Sequence, residues 1–243
     1  MTGKGCYRYA IDSRDVDFSG RATLAAMCHY ILEAAGEDAD LNGFGVRDLN
    51  LDNTTWVLSR MAVEFARLPR QGEHFIVRTW VNEVSRVMTT RNMEVTDSDG
   101  VRIAAAVTQW AIIDTEKRTA VDIRGRFDYD GVVTDEPCPA DRPARMGAVA
   151  PAETMQHRVV YGDIDFNHHM NSLRYIALMA DMLPMDYFTQ REIARLDIAF
   201  MHEARYGQVL TVGCEQRGGE SCFEITNDEG QSICKASMKW REN

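Results

Sequence analysis

The chain has 243 residues, 45% of them hydrophobic, and a formal net charge of −10. That is enough apolar material for one large domain or two small ones, and no apolar run approaches the roughly 18 residues of a membrane span. The acidic balance argues against nonspecific binding to nucleic acid or to an anionic membrane, so an acidic partner would need a local basic patch.

The N-terminal stretch MTGKGCYRYAIDSRD lacks the apolar core of a secretory signal. The six cysteines (6, 28, 138, 214, 222 and 234) show no C-x-x-C spacing. Reduced, buried thiols in a cytoplasmic protein fit that pattern better than a disulfide or zinc framework.

Residues 5–12 read as a strand. From about Arg21 to Ala39, Leu24, Met27, Cys28, Ile31, Leu32 and Ala35 recur at helical spacing. Gly43 and Gly45 end that pattern without forming a nucleotide-binding fingerprint. Four β-rich runs follow between Thr55 and Asp114, with Asp97-Ser98-Asp99-Gly100 as a hairpin signal. Residues 127–156 hold four of the six prolines and no periodicity, so a surface linker is expected there.

The order then repeats. Residues 158–166 read as a strand and turn. A helix is expected from Asn171, a good N-cap, to about Leu183, and four more β-rich runs reach the end. The expected division is a first unit over 1–130, a linker over 131–156 and a second unit over 157–243. Each unit is β-α-β-β-β-β, a tandem duplication. Asp15-Val16-Asp17-Phe18 lies on Asp163-Ile164-Asp165-Phe166, Gly72 on Gly207, and Trp110 on Trp240.

The halves differ within YGDIDFNHHMNSLRY, residues 161–175. Asp165, Asn167 and His169 stand at alternate positions and share one face if the segment is extended. The unpaired N–H groups of the following helix would then lie beside them. In the first half Asn167 faces Ser19, His169 faces Arg21, and Glu203 faces Leu68. A purely structural role would be needed by both halves, so this asymmetry points to chemistry. Adjacent residues such as His168 and His169 would point to opposite faces, which disfavours a metal site, and no G-x-S-x-G motif is present.

Through WVLSRMAVEFARLPRQGE and RTWV in the first half, and DIDFNHHMNSLRY and MHEARYG in the second, the chain resembles the acyl-acyl carrier protein thioesterases of fatty acid synthesis. These are bacterial relatives of the plant plastid enzymes. The resemblance implies an α+β tandem double hotdog, two antiparallel sheets each wrapped around a helix. It places the functional residues on Asp165, Asn167, His169 and Glu203. The plant enzymes carry a cysteine directly after the glutamate. Here that position is Ala204, which rules out a thiol mechanism using it.

On this resemblance, Asn167, helix N–H groups and His169 would stabilise the oxyanion of a thioester. Asp165 would act as a nucleophile or as a base for water, and Glu203 would assist water or orient the others. Met27, Trp56, Leu58, Met61 and Trp80 are candidates to line an acyl tunnel in the first half. Arg191, Arg195 and Arg205 are candidates to dock the acidic acyl carrier protein. No cofactor or metal is called for, and self-association into a homodimer stays open. The competing readings are an acyl-CoA thioesterase on the same fold and an acyl-binding hotdog without turnover.

Overall fold

The computed structural model describes residues 3–129 and 131–242. In chain order the strands and helices are β1 (Gly5–Ala10), α1 (Leu24–Leu41), α2 (Val46–Asn50), β2 (Thr54–Phe65), β3 (His74–Val84), β4 (Thr89–Asp97), β5 (Arg102–Asp114), β6 (Glu153–Arg158), α3 (Ser172–Asp181), α4 (Met185–Gln190), β7 (Arg191–Phe200), β8 (Val209–Arg217), β9 (Glu220–Asn227) and β10 (Ser232–Glu242). The strands form one sheet in the order β1-β3-β4-β5-β2-β7-β10-β9-β8-β6. Each half thus repeats one strand order, and the two are joined where β2 runs antiparallel to β7, centred on Ala62 opposite Asp197. The two expected sheets of the double hotdog are fused edge to edge, which removes an exposed edge from each half.

The helices pack on one face of this sheet. α1 contributes Met27, Cys28, Ile31, Ala34 and Ala35, and α3 contributes Tyr175, Ile176, Leu178 and Met179, to a single apolar core. The side chain of Thr23 caps α1 by accepting the Ala26 N–H at 3.1 Å, and Asn171 caps α3 by accepting the Leu173 N–H at 2.8 Å.

The connection between the halves crosses the opposite face. Trp80 Nε1 donates to the Glu136 carbonyl at 2.9 Å, and Ala140 packs on Ala105 and Val107. The Ala144 N–H donates to Asp197 Oδ1 at 2.8 Å, and the Ala150 N–H to Glu215 Oε2 at 2.7 Å.

Strand β6 begins at Glu153, ahead of the strand expected from Arg158, and residues 161–163 form a 3-10 turn. The sequence of β6, ETMQHR, lies on the sheet edge with four of its six residues exposed, so its face carries no apolar alternation to read.

Candidate active site

The segment from Asp165 to His169 is a tight turn, which corrects the extended geometry expected from alternate spacing. The Asp165 N–H donates to the His169 carbonyl at 2.9 Å, and the His168 N–H donates to the Asp165 carbonyl at 3.0 Å. Oδ1 of Asp165 accepts the N–H groups of Asn167 at 2.8 Å and His169 at 3.4 Å. A short acidic side chain that captures nearby backbone donors favours a turn over a strand. His168 closes it at φ 62°.

The turn is held from behind by the strap carrying Glu203. The Met170 N–H donates to the Ala204 carbonyl at 2.8 Å, and the Ala204 N–H donates to the Tyr175 hydroxyl at 3.1 Å. Residues 203–204 are thereby fixed beside 169–170, and Glu203 Oε2 lies 3.0 Å from His169 Nε2. Arg118, in the turn after β5 of the first half, donates to the same Glu203 oxygen.

Burial pushes the His169 imidazole below its usual range. The nearby Glu203 carboxylate opposes this, but the guanidiniums of Arg118 and Arg205 add to the downward push. The ring is therefore held neutral against its carboxylate neighbour. Asp165 Oδ2 and the Asn167 side-chain amide have no hydrogen-bond partner among the described residues, and both residues are half-buried. A carboxylate oxygen, an amide and a neutral imidazole thus stand on one short turn. The first N–H groups of α3 contribute less than expected, because Asn171 itself takes the Leu173 N–H.

The first half builds the same turn. The Asp17 N–H donates to the Arg21 carbonyl at 2.8 Å, and the Gly20 N–H donates to the Asp17 carbonyl at 3.0 Å. Asp17 Oδ1 accepts the N–H groups of Ser19 at 2.7 Å and Arg21 at 3.3 Å. The Ala22 N–H donates to the Pro69 carbonyl as Met170 does to Ala204. Proline has no N–H to return and Met27 has no hydroxyl, so the Tyr175–Ala204 tie has no counterpart. The asymmetry therefore extends beyond the four residues read from sequence.

The remaining candidates separate. Met27 on α1 and Leu58 and Met61 on β2 lie in the core between helix and sheet. Trp56 is partly buried farther along, with Nε1 donating to the Phe44 carbonyl at 2.8 Å. Trp80 is on the opposite sheet face under the connection, which removes it from a tunnel between helix and sheet. Arg195 is also taken out of its expected role. Its guanidinium is locked to Glu64, to Asp197 and to the carbonyls of Asp141 and Arg142, so it cannot swing to a partner. Arg191 stacks 4.3 Å above Tyr187 at the start of β7, and Arg205 is exposed near His169. Sequence alone does not single out Arg118, because nothing local distinguishes an arginine in a turn. The available signal was indirect: Glu203 faces Leu68 across the repeat, so its counter-charge has to come from elsewhere.

The acyl-ACP thioesterase N-terminal domain matches residues 6–127 and the C-terminal domain residues 148–242, and the chain belongs to this family. An acyl-ACP thioesterase from Bacteroides thetaiotaomicron superposes with a TM-score of 0.91 at 35% identity, covering 98% of each chain. A 12:0-ACP thioesterase from Umbellularia californica shares the fold, with a TM-score of 0.87 at 19% identity over 99% of this chain and 98% of that one. A chloroplastic acyl-[acyl-carrier-protein] hydrolase from Cuphea viscosissima is 24% identical over 82% of this chain and 52% of its own length. The chain spans about half the length of the first curated relatives it matches.

Proposed function

We propose that the chain hydrolyses the thioester of an acyl-acyl carrier protein, releasing a free fatty acid and the carrier thiol. The observation that carries this reading is the doubled turn. Both halves fold it alike, but only the second surrounds its aspartate with an amide, a neutral imidazole, a carboxylate and an arginine.

Asp165 is anchored through Oδ1 and presents Oδ2. That oxygen either attacks the acyl carbon, giving a mixed anhydride, or accepts a proton from the attacking water. The Asn167 amide donates to the developing oxyanion, an interaction worth about 100- to 1,000-fold in rate for a single donor. His169 directs Nε2–H at Glu203 and keeps Nδ1 free to accept a proton from water. Glu203, held by Arg118, orients the ring and balances the imidazolium that forms. As the carbonyl re-forms the thiolate leaves and is protonated, by the group that took the water's proton on the water route and by solvent on the anhydride route. On the anhydride route a water deprotonated at His169 Nδ1 then hydrolyses the anhydride and frees both the fatty acid and Asp165.

The acyl chain is assigned to the first half, between α1 and the sheet. Met27 and Met61 there are unbranched and yield more readily than branched side chains. Ala35→Phe on α1 should shorten the preferred acyl chain, and an unchanged profile in a folded protein would refute the assignment. Arg205 is the docking arginine nearest the reacting groups, and attraction to an acidic carrier weakens with salt. A cytoplasmic setting suits this substrate.

The test is thiol release from matched carrier and CoA thioesters of varied acyl length. A higher kcat/KM for carrier thioesters that declines with salt supports the reading. Equal, salt-independent values favour an acyl-CoA thioesterase, and no release from either refutes hydrolysis.

A further inference from the structure

Beside the turn at Asp17 lies a cavity of about 460 Å³, within the size range of small-molecule sites. Its walls come from both halves and are largely apolar, with Leu24 and Leu68 facing Ala177, Phe188, Met238 and Trp240. Phe18 and Met185, 55% and 61% exposed, flank its opening. It lies at the C-terminal end of α3, whereas the Asp165 turn precedes the N-terminal end. The ten residues of α3 set the two about 15 Å apart.

The cavity has the position of a reacting site without its reacting groups, since Ser19, Arg21 and Leu68 stand where Asn167, His169 and Glu203 stand in the second half. In their place is an ion cluster. Arg21 Nη1 lies 2.7 Å from Glu192 Oε1, and Arg241 Nη2 lies 2.9 Å from Glu192 Oε2. Arg241 also donates to the Phe65 and Ala66 carbonyls and does not line the cavity, so the donor capacity left for a second carboxylate is that of Arg21. Asp17 also lines the cavity, but its Oδ1 is occupied by Ser19 and Arg21. Asp181 is exposed, where solvent screens it.

We propose that this cavity is a second, non-hydrolytic site that binds a long-chain monocarboxylate, with the tail among the apolar walls and the carboxylate at Arg21. The ligand is the product class of the hydrolysis proposed above. The inference rests on that reading for the ligand's source, while binding itself requires no turnover. Occupancy would let the chain sense free fatty acid away from the reacting carbon.

The test is calorimetric titration with dodecanoate, with methyl dodecanoate as the uncharged control, alongside quenching of Trp240 fluorescence by 11-bromoundecanoate. Ala177→Trp, which fills the cavity, should weaken dodecanoate binding there at least about tenfold. Arg21→Gln should weaken dodecanoate about tenfold and leave methyl dodecanoate unchanged. The bromo acid should quench the wild type, and Trp240→Phe should remove that component. Thiol release should stay unchanged in Ala177→Trp and Arg21→Gln. Unaltered dodecanoate affinity in folded Arg21→Gln, or no quenching attributable to Trp240, would overturn the proposal. So would a changed acyl-length profile of hydrolysis in Ala177→Trp, which would make the cavity part of the substrate tunnel. If Ala177→Trp does not fold, Arg21→Gln and the quenching decide. Failure of the hydrolysis reading would show separately, as absent thiol release with dodecanoate binding intact.

Discussion

Arg118 of the first half closes on the same Glu203 oxygen that faces His169 Nε2 at 3.0 Å in the second half. The relationship joins the two halves at one carboxylate. It also fixes the electrostatics of the imidazole, because Arg118 helps hold His169 below its usual range.

Replacing Arg118 tests this directly. Arg118→Gln removes a nearby positive charge, so the His169 pKa should rise. The ring is then protonated at a higher pH, and the acid limb of kcat/KM should move upward. A loosened Glu203 should also lower kcat, by up to about 100-fold for an ångström of misplacement. Arg118→Lys should restore the acid limb more fully than kcat, since it returns charge but not the guanidinium geometry. A pH–rate profile identical to wild type would remove Arg118 from the site.

His169 has a pH signature in stability as well. The folded chain disfavours the charged ring, so below the ordinary value of 6.5 the unfolded state binds protons the folded state resists. This component is absent above 6.5. It lowers stability as pH falls, until the folded imidazole also protonates. Denaturant titrations of wild type and His169→Gln should diverge in slope only within that window.

Asp17 and Asp165 accept the same two backbone N–H groups in their turns, and Asp17 adds only the Ser19 hydroxyl, so their structural contributions should be similar. Asp17→Ala and Asp165→Ala should each cost about 1 kcal/mol. Only Asp165→Ala should lower single-turnover thiol release by orders of magnitude. Comparable turnover losses at matched stability would refute a single reacting half.

His168 occupies the left-handed position that Gly20 fills in the first half, at φ 62° against 74°. A side chain there costs roughly 1–2 kcal/mol relative to glycine. His168→Gly should therefore raise Tm by a few degrees, and Gly20→Ala should lower it by a similar amount. Paired melting curves check both signs.

Asp163 is buried beneath the turn, accepting His157 Nε2 at 2.7 Å, Arg174 Nε at 2.8 Å and the Val160 N–H at 2.9 Å. Burial pushes its carboxyl up, but these hydrogen bonds prevail and hold it below the usual carboxylate range. Its stabilisation is present in full above that range and is lost as pH falls through the folded value. Asp163→Asn should cost about 2–4 kcal/mol at neutral pH. The gap from wild type should narrow in acid, and a constant gap would refute the assignment.

The duplication, both core helices and the asymmetric set Asp165, Asn167, His169 and Glu203 are legible in the order of the amino acids alone. Each is a local or periodic signal: helical spacing of apolar residues, a cap at Asn171, and alignable turns. That order also hinted at its own gap, since Glu203 faced a leucine in the repeat. What depends on strand pairing and on sheet face is settled only when the chain folds. Trp80 and Met61 both read as apolar strand residues, yet they stand on opposite faces. Arg195 read as a free cation and is a staple beneath the connection. Alternate spacing placed Asp165 and His169 on one strand face, but capture of two backbone N–H groups by Asp165 folded them into a turn. The Arg118–Glu203 contact spans 85 positions and exists only because β2 and β7 join the halves into one sheet. Composition and periodicity report a residue's preference for burial or for a backbone state. Which distant charge meets it is set by the packing of the whole chain.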